Sequence, residues 1–444
     1  MRAMKLTFFL IALALILLRL CYPTLEIWSN GHGHGTMVMR SDNYIQEIKW
    51  AGKVRFSDDE KSVAEISPGG YLKFRENDTT LKAESNLQGE ISYSLFNGEA
   101  QLAMDDSGRR FVAAQIQKMI RFGFLADNRA ARIYKQGGVE AVLAELSRIR
   151  MEGARGPYLD LLFNSDSLTQ GQQIRLLQEL DSANNTTEEQ HYLELFAEKQ
   201  YSDSAVAQRW FVSVGRLEPS YMKKDLLLKY LSVDVDRTAG LPEDRFDSVV
   251  AIATHLESYD AKDVYERLVQ MPKKADSDWG GLISAVGALN EDYMKGEVMD
   301  KIASVMPRKD SAVTQQWLIC VGRIGESNLK KDLLIKFLNP DTIRADGITE
   351  ADYDSILTIA SRLETYNRKE VFERLADIRE KTGAEWAGLV RAVGALDEDF
   401  MKGEVLTKIA KDLPRSDSLI LIYRTAAKTI RDDMEYGKTL RAIE

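Results

Sequence analysis

Cysteine, proline and histidine are scarce in this chain, and an excess of basic residues is absent. Its two cysteines, Cys21 and Cys320, lie in unrelated sequence contexts, so a framework of disulfides is not expected. Nine prolines among 444 residues leave room for long helices. The formal net charge of −9 argues against a nucleic-acid partner, because phosphate binding needs a basic face.

The four histidines are too isolated to indicate a metal site or a catalytic pair. His32 and His34 lie in "SNGHGHGT" (residues 29–36), which we interpret as a solvated linker, while His191 and His255 lie in amphipathic helical patterns. The GxSxG, phosphate-loop, dinucleotide-binding and paired-cysteine motifs are all missing. We therefore predict that the protein is not an enzyme and has no catalytic, cofactor-binding or metal-binding residues. No small-molecule substrate is evident.

The first 25 residues carry the only long apolar run. Basic Arg2 and Lys5 precede an apolar run over residues 6–18, which is typical of an export signal. Small residues at cleavage spacing are missing at its end, so we predict a signal anchor over residues 1–25, with a cleaved signal as the alternative. The positive-inside tendency keeps Arg2 and Lys5 in the cytoplasm and places residues 26–444 on the outer side of the membrane.

Residues 26–104 alternate between apolar and polar side chains, the period of a half-buried strand. Turn signals separate the alternating segments, notably Pro68-Gly69-Gly70 and Asn97-Gly98. These patterns predict a small antiparallel β-meander domain. So small a sheet is not stable alone, and we expect it to pack on the segment that follows.

From residue 105 to residue 444 the apolar period is helical, and one block of this region is duplicated. Trp210 and Trp317 stand 107 positions apart, and the same shift aligns the two chain segments without a gap. Between Trp279 and Pro307, 19 of 29 positions are identical at that shift. The duplicated blocks cover about residues 210–316 and 317–423.

Each block divides into three units of about 36 residues, each consisting of a helix, a short acidic turn and a second helix. The units are marked by an anchoring leucine or isoleucine at Leu217, Leu256, Leu289, Ile324, Leu363 and Leu396. A repeat of this length is typical of an α-solenoid, in which each helix pair buries its apolar face against its neighbours. The predicted fold is therefore mainly α, an array of helix pairs of the HEAT or TPR kind behind a small β domain.

Charged residues recur with the units. A lysine lies six positions after each anchor and is interpreted as a repeated surface charge, together with Glu297 and Glu404: Lys223, Lys262, Lys295, Lys330, Lys369 and Lys402. Asn290 and Asp397 are predicted helix N-caps, because cap side chains accept hydrogen bonds from the free amides of the first turn.

Glycine and tryptophan recur in the first helix of the pairs. Gly287 and Gly394 lower helix propensity, which predicts a close helix–helix approach as compensation. The tryptophans open these helices, and packing between units is favoured over a ligand-binding box: Trp210, Trp279, Trp317 and Trp386.

Two segments resemble a family of bacterial extracytoplasmic, membrane-anchored proteins of uncharacterised function. They are "AEISPGGYLKF" (residues 64–74) and "YKQGGVEAVLAELSRI" (residues 134–149), and the resemblance covers residues 44 to about 165. The family combines a β-meander with helical repeats and is similar to the periplasmic part of some antirepressor-type sensor metallopeptidases. The His-Glu-x-x-His peptidase motif is absent here, so the resemblance implies location and architecture, with a possible link to envelope signalling.

We expect the chain to be a membrane-anchored periplasmic scaffold that binds another protein through its helical array. The sequence assigns no residues to the binding surface. Two alternatives stay open: an enzyme with a hidden site where the sheet meets the helices, and a purely structural envelope protein. Perturbed carboxylates in a deep pocket would favour the first alternative, and a shallow surface with exposed aromatic residues would favour protein binding.

Overall fold

The structure is a computed structural model that describes residues 33–41, 44–149, 154–165, 168–182, 186–199, 203–218, 220–232, 241–271, 276–308, 311–339, 348–378 and 381–444. The predicted signal segment, residues 1–25, and Cys21 within it lie outside these ranges. Within the described ranges, no helix is both long and apolar enough to cross a membrane.

The chain begins with eight strands in the described residues: β1 His34–Ser41, β2 Tyr44–Ala51, β3 Val54–Phe56, β4 Val63–Ile66, β5 Tyr71–Glu76, β6 Thr79–Ser85, β7 Ile91–Asn97 and β8 Ala100–Leu102. Six of them form an antiparallel sheet in the order β1-β2-β5-β6-β7-β8, and β3 pairs with β4 as a separate two-stranded ribbon. The predicted antiparallel meander is confirmed, with the β3–β4 ribbon inserted between its second and third strands.

Glycines allow the backbone conformations of two tight turns in the sheet. Gly69 adopts a left-handed φ of 75°, which costs a glycine little. A Cβ at Gly70 would lie 2.3 Å from the carbonyl oxygen of Ala51, so no larger residue fits there. Gly98 has a φ of 62° in the tight turn between β7 and β8.

The linker interpretation of residues 29–36 is wrong for its described end. His34 opens β1, and residues 34–36 pair with residues 49–51 of β2. A Cβ at Gly35 would lie 2.4 Å from the Trp50 ring, so the glycine lets the indole pack against the strand. The pairing and this packing hold the histidine in a strand.

Five helices follow the sheet: α1 Asp106–Arg121, α2 Ala126–Leu146, α3 Gly156–Phe163, α4 Gln170–Asp181 and α5 Thr186–Lys199. The sheet and α1 share one core, in which Ile48, Leu72 and Phe74 are buried with Ile116 and Met119. The chain divides into two compact units, Met1–Glu189 and Gln190–Glu444.

The second unit contains fourteen further helices in its described residues: α6 Ser204–Arg216, α7 Ser220–Ser232, α8 Glu243–Ala253, α9 Ser258–Gln270, α10 Asp276–Gly287, α11 Asp292–Val305, α12 Ser311–Gly322, α13 Ser327–Phe337, α14 Glu350–Ala360, α15 Thr365–Ala376, α16 Gly383–Gly394, α17 Asp399–Ala410, α18 Asp417–Ala427 and α19 Asp433–Ile443. The even-numbered helices from α6 to α18 stack side by side as a first layer, and the odd-numbered helices from α7 to α19 form a second layer. The predicted mainly α array of helix pairs behind a β domain is confirmed.

Packing between the pairs explains the repeated tryptophans and glycines. All four tryptophans are buried, and the indole N–H groups of Trp210 and Trp317 donate to backbone carbonyls of α5 and α11. A Cβ at Gly287 would lie 2.7 Å from Cys320 Sγ, and one at Gly394 would lie 3.0 Å from Ala426 Cβ. The predicted close approach is therefore correct at both glycines.

Two interpretations of the turn residues are wrong. Asn290 and Asp397 are not N-caps: Glu291 and Glu398 occupy the cap positions, and neither caps with its side chain. The recurring lysines are not a uniform surface charge either, because their side chains range from almost fully buried to partly buried. Lys295 and Lys402 are only 7% exposed, and the ammonium of Lys402 donates to the carbonyl of Thr429 in the next turn at 3.1 Å.

Candidate functional site

Five large aromatic side chains are exposed along one edge of the second layer. Each is the second residue of its helix, and their exposed fractions lie between 50% and 74%: Tyr221, Tyr259, Tyr293, Tyr366 and Phe400. We call this set the aromatic row. Buried aromatic residues fill the cores of folded proteins, whereas exposed aromatic residues in a series are typical of interaction surfaces. Asn328 occupies the equivalent position in α13 and interrupts the row between Tyr293 and Tyr366.

Hydrogen bonds between neighbouring helix pairs fix the turns that carry the aromatic row. Ser220, which precedes Tyr221, accepts a hydrogen bond through Oγ from the N–H of Glu257 at 3.0 Å. Ser327 accepts the equivalent bond from the N–H of Glu364 at 3.0 Å. The first residue of one helix thus satisfies an amide at the start of the next second-layer helix.

Aspartates do the same in two other turns. Asp292 accepts from the N–H of Gly325 at 2.7 Å, and Asp399 accepts from the N–H of Arg431 at 2.8 Å. The hydrogen bond from Arg431 holds the pKa of Asp399 below its ordinary value. Tyr293 and Phe400 directly follow these aspartates, so both aromatic residues start from a fixed backbone.

Five glutamates stand at the N-cap positions of the second-layer helices α9 to α17, two residues before Tyr259, Tyr293, Asn328, Tyr366 and Phe400: Glu257, Glu291, Glu326, Glu364 and Glu398. We call them the cap glutamates. None forms a side-chain cap, although side chains at this position usually close onto the first-turn amides. All five are exposed, and within the described residues none of their carboxylates is hydrogen-bonded or ion-paired.

The charge of these turns is negative without being uniform. Two of them contain an arginine, Arg323 and Arg362, and Arg216 ends α6 just before the turn that leads to Tyr221. The turns at residues 288–293 and 395–400 carry acidic residues and no basic ones. These two turns are equivalent in the duplication, so the most acidic part of the edge occurs twice.

Four of the helical lysines behind the turns are bound to acids: Lys262 and Lys369 to glutamates of the helices, and Lys295 and Lys402 to Asp292 and Asp399 at the start of their own helices. Lys262 binds Glu297 of the next second-layer helix at 2.7 Å and Glu266 of its own helix at 3.3 Å. Lys369 repeats this with Glu404 at 2.7 Å and Glu373 at 3.3 Å. The hydrogen bond from Lys262 lowers the pKa of Glu297, as expected for a bound carboxylate.

A second candidate site lies in the first unit, where the β3–β4 ribbon meets α1 and α2. A cavity of about 340 Å³ is lined by basic and acidic residues, including Lys53, Asp58 and Arg132. Its central carboxylate, Glu60, binds Arg129 at 2.6 Å and also binds Arg132.

Arg129 also lines this cavity, and its guanidinium has two further partners, in α2 and α3. It binds Glu145 at 2.7 Å and donates to the hydroxyl of Tyr158 at 2.9 Å. Burial lowers the pKa of Arg129, but the hydrogen bonds that it donates to Glu60, Glu145 and Tyr158 outweigh this and raise the pKa. The arrangement joins the ribbon to the helices, and both oxygens of the Glu60 carboxylate accept hydrogen bonds from arginines.

Of the histidines considered from the sequence, His32 lies outside the described residues, and the other three lie in separate parts of the fold. His34 lies in β1, His255 is exposed in the turn after α8, and His191 is exposed on α5 beside the ring of Tyr192. Cys320 is buried, and that burial raises the pKa of its thiol. Within the described residues, no group of three or more His, Cys, Asp or Glu side chains is placed to hold a metal ion.

Sequence reasoning missed the aromatic row, although a signal was present. An acidic residue, one further residue and an aromatic residue recur at four turns, as Glu257-Ser258-Tyr259 and its equivalents. A comparison with models of known protein families finds no match for the chain, and neither does a search of curated proteins.

Proposed function

We propose that this chain is an extracytoplasmic binding protein whose helical array holds a partner protein along the aromatic row. The observation that carries the proposal is the recurrence of exposed aromatic residues at one position of successive helix pairs. A single exposed aromatic side chain is common on protein surfaces, whereas a row at repeat spacing is not required for folding. Aromatic residues are enriched where proteins bind one another, because they bury a large area at a small cost in side-chain entropy.

The proposed location rests on the basic start and apolar run within residues 1–25. An anchored array would keep its row on the outer side of the membrane, which suits a scaffold. A role in envelope sensing or signalling rests on the family resemblance alone.

The alternative of an enzyme at the junction of sheet and helices has weaker support. The cavity there is large enough for a small ligand, but Glu60 at its centre is held by two arginines. A general base needs a carboxylate that can reach a substrate proton. We therefore favour binding over catalysis.

The test is site-specific photocrosslinking of the whole chain in intact cells. A photoreactive phenylalanine analogue replaces Tyr259, or its duplicate Tyr366, and in a matched control replaces Ile319. Ile319 is 52% exposed on α12, in the first layer, and so it samples the same array away from the row. We expect one discrete crosslinked protein from both row positions and none from position 319.

Two outcomes would contradict the proposal. One is the absence of any crosslinked product above the control at both row positions. The other is the same set of products from position 319, which would show that the array contacts its surroundings without using the row. A second pair of variants, Tyr259→Ala and Tyr366→Ala, should reduce co-purification of the identified protein without changing the fold, as checked by circular dichroism.

A further inference from the structure

We infer that the occupant of the row is an extended, basic segment of the partner, with lysine or arginine side chains repeating at about every third residue. This inference rests on the proposed function and adds the chemistry of the partner. It combines the exposed aromatic rings, the unengaged carboxylates beside them and the spacing of the helix pairs.

The carboxylates select the sign of the partner's charge. The five cap glutamates are exposed and unpaired within the described residues, while Lys262 and Lys369 behind them are bound to glutamates of α9, α11, α15 and α17. The helix dipole by itself favours a negative charge at these positions, so the acids have a modest structural role as well. An anionic ligand approaching this edge would be repelled, and a cationic one attracted.

The aromatic rings select the same partner. A lysine ammonium or an arginine guanidinium binds over the face of an exposed tyrosine or phenylalanine. Four helix pairs, α8–α9, α10–α11, α14–α15 and α16–α17, each offer one aromatic ring and one carboxylate two residues apart. The pairs with Asn328 or Met434 at the row position lack the ring. One basic side chain per helix pair can therefore contact both groups.

The spacing of the helices sets the spacing of the basic residues. Neighbouring packed helices are about 8–10 Å apart. An extended chain advances about 3.1 Å per residue in the polyproline conformation, with three residues per turn, so side chains on one side recur about every 9 Å. A basic residue at every third position of such a chain would meet successive helix pairs in register.

The gap at Asn328 divides the surface into two parts. Tyr221, Tyr259 and Tyr293 lie before it, and Tyr366 and Phe400 lie after it. A bound segment of this kind needs basic residues at both ends and tolerates a neutral residue opposite α13.

The experiment measures binding of synthetic peptides to the whole chain by fluorescence anisotropy over a range of salt concentrations. One peptide carries lysine at every third position between prolines, and a second has the same composition with its lysines in one block. A third carries glutamate in place of lysine, and a soluble glycan oligomer serves as a neutral ligand. We expect the spaced basic peptide to bind most tightly and its affinity to fall as salt rises.

Variants locate the binding on the row. Glu291→Gln combined with Glu398→Gln should weaken binding about tenfold at low salt, since each exposed charge pair contributes about threefold. Tyr293→Ala should weaken it about threefold. Glu350→Gln is the matched control, because Glu350 is an exposed acid at the start of α14 in the first layer, and it should change the affinity by less than about 1.5-fold.

The results separate this inference from the proposed function. Equal binding of the blocked and spaced peptides would overturn the three-residue register. Binding of the glycan or the glutamate peptide, or binding insensitive to salt and to the cap glutamates, would overturn the basic partner. If the crosslinked protein found at Tyr259 and Tyr366 has no basic segment at the crosslink, the inference fails while the proposed function stands.

Discussion

Two glycines of one helix, Gly281 and Gly287 in α10, should respond in opposite ways to alanine. A Cβ at Gly281 would meet nothing within 4 Å, whereas one at Gly287 would lie 2.7 Å from Sγ of Cys320 and 3.4 Å from its Cβ. Cys320 is only 4% exposed, so its side chain has little room to move aside. The pair therefore separates the backbone effect of glycine from its packing effect.

The magnitudes follow from this geometry. Alanine is favoured over glycine inside a helix by about 1 kcal/mol, so Gly281→Ala should raise the free energy of unfolding by about 0.5–1 kcal/mol. Gly287→Ala gains less, because the residue ends the helix, and it inserts a methyl group into a filled space at a cost of about 1–3 kcal/mol. We expect a net loss of about 1–2 kcal/mol for Gly287→Ala.

A double-mutant cycle identifies the atom responsible. Cys320→Ala alone removes Sγ from a packed position and should cost about 1 kcal/mol. In Gly287→Ala/Cys320→Ala the new methyl group occupies the space that the sulfur leaves. The double variant should therefore be more stable than the sum of the single changes by at least about 1 kcal/mol.

The assay is denaturant unfolding of the whole chain followed by tryptophan fluorescence, since four tryptophans are buried in the array. The same measurement on Gly281→Ala provides the internal control. The reasoning would be refuted if Gly287→Ala proved as stabilising as Gly281→Ala. Additive single changes in the double variant would also refute it.

Two further predictions concern charged groups. Arg129→Ala should lower the stability of the first unit by about 3 kcal/mol, because it leaves the Glu60 carboxylate with fewer partners at a site that is 13% exposed. Hydrogen exchange of the β3–β4 ribbon measures this loss, and unchanged protection would contradict it. Burial lowers the pKa of Lys381 to about 8, so in the unfolded chain this lysine binds more protons than in the folded chain between pH 8 and pH 10.5. The stability of the wild-type chain relative to Lys381→Met should therefore increase as pH rises through that range, and a constant difference between the two unfolding curves would disprove the assignment.

The repeat unit was predictable because features of the local sequence specify it. The helical spacing of apolar residues and the anchor at each turn act within a few residues of the chain. The 107-residue duplication repeats them without a gap. The burial of Trp317 and the tight space at Gly287 followed from the same logic, since a residue that recurs on the inner face of successive units meets its neighbour each time.

Residues at the turns were harder to interpret, because their environment depends on the next unit along the array. Lys402 was expected to be solvated, but it reaches a carbonyl of the following turn. Asp397 was expected to cap α17, but the cap position belongs to Glu398, and Asp399 binds an amide 32 residues later. No periodicity within one helix encodes such a bond.

The sequence by itself determined that this protein is an array of helix pairs behind an antiparallel sheet, since hydrophobic period and turn chemistry are local properties of the chain. Only the tertiary structure decided which repeated residues are covered. Stacking buries the tryptophans and several lysines and leaves the tyrosines of the first turns, with the cap glutamates beside them, at the edge of the second layer. The physical reason is that contacts between neighbouring helix pairs set the exposure of each side chain. The candidate binding surface consists of the residues that those contacts leave exposed.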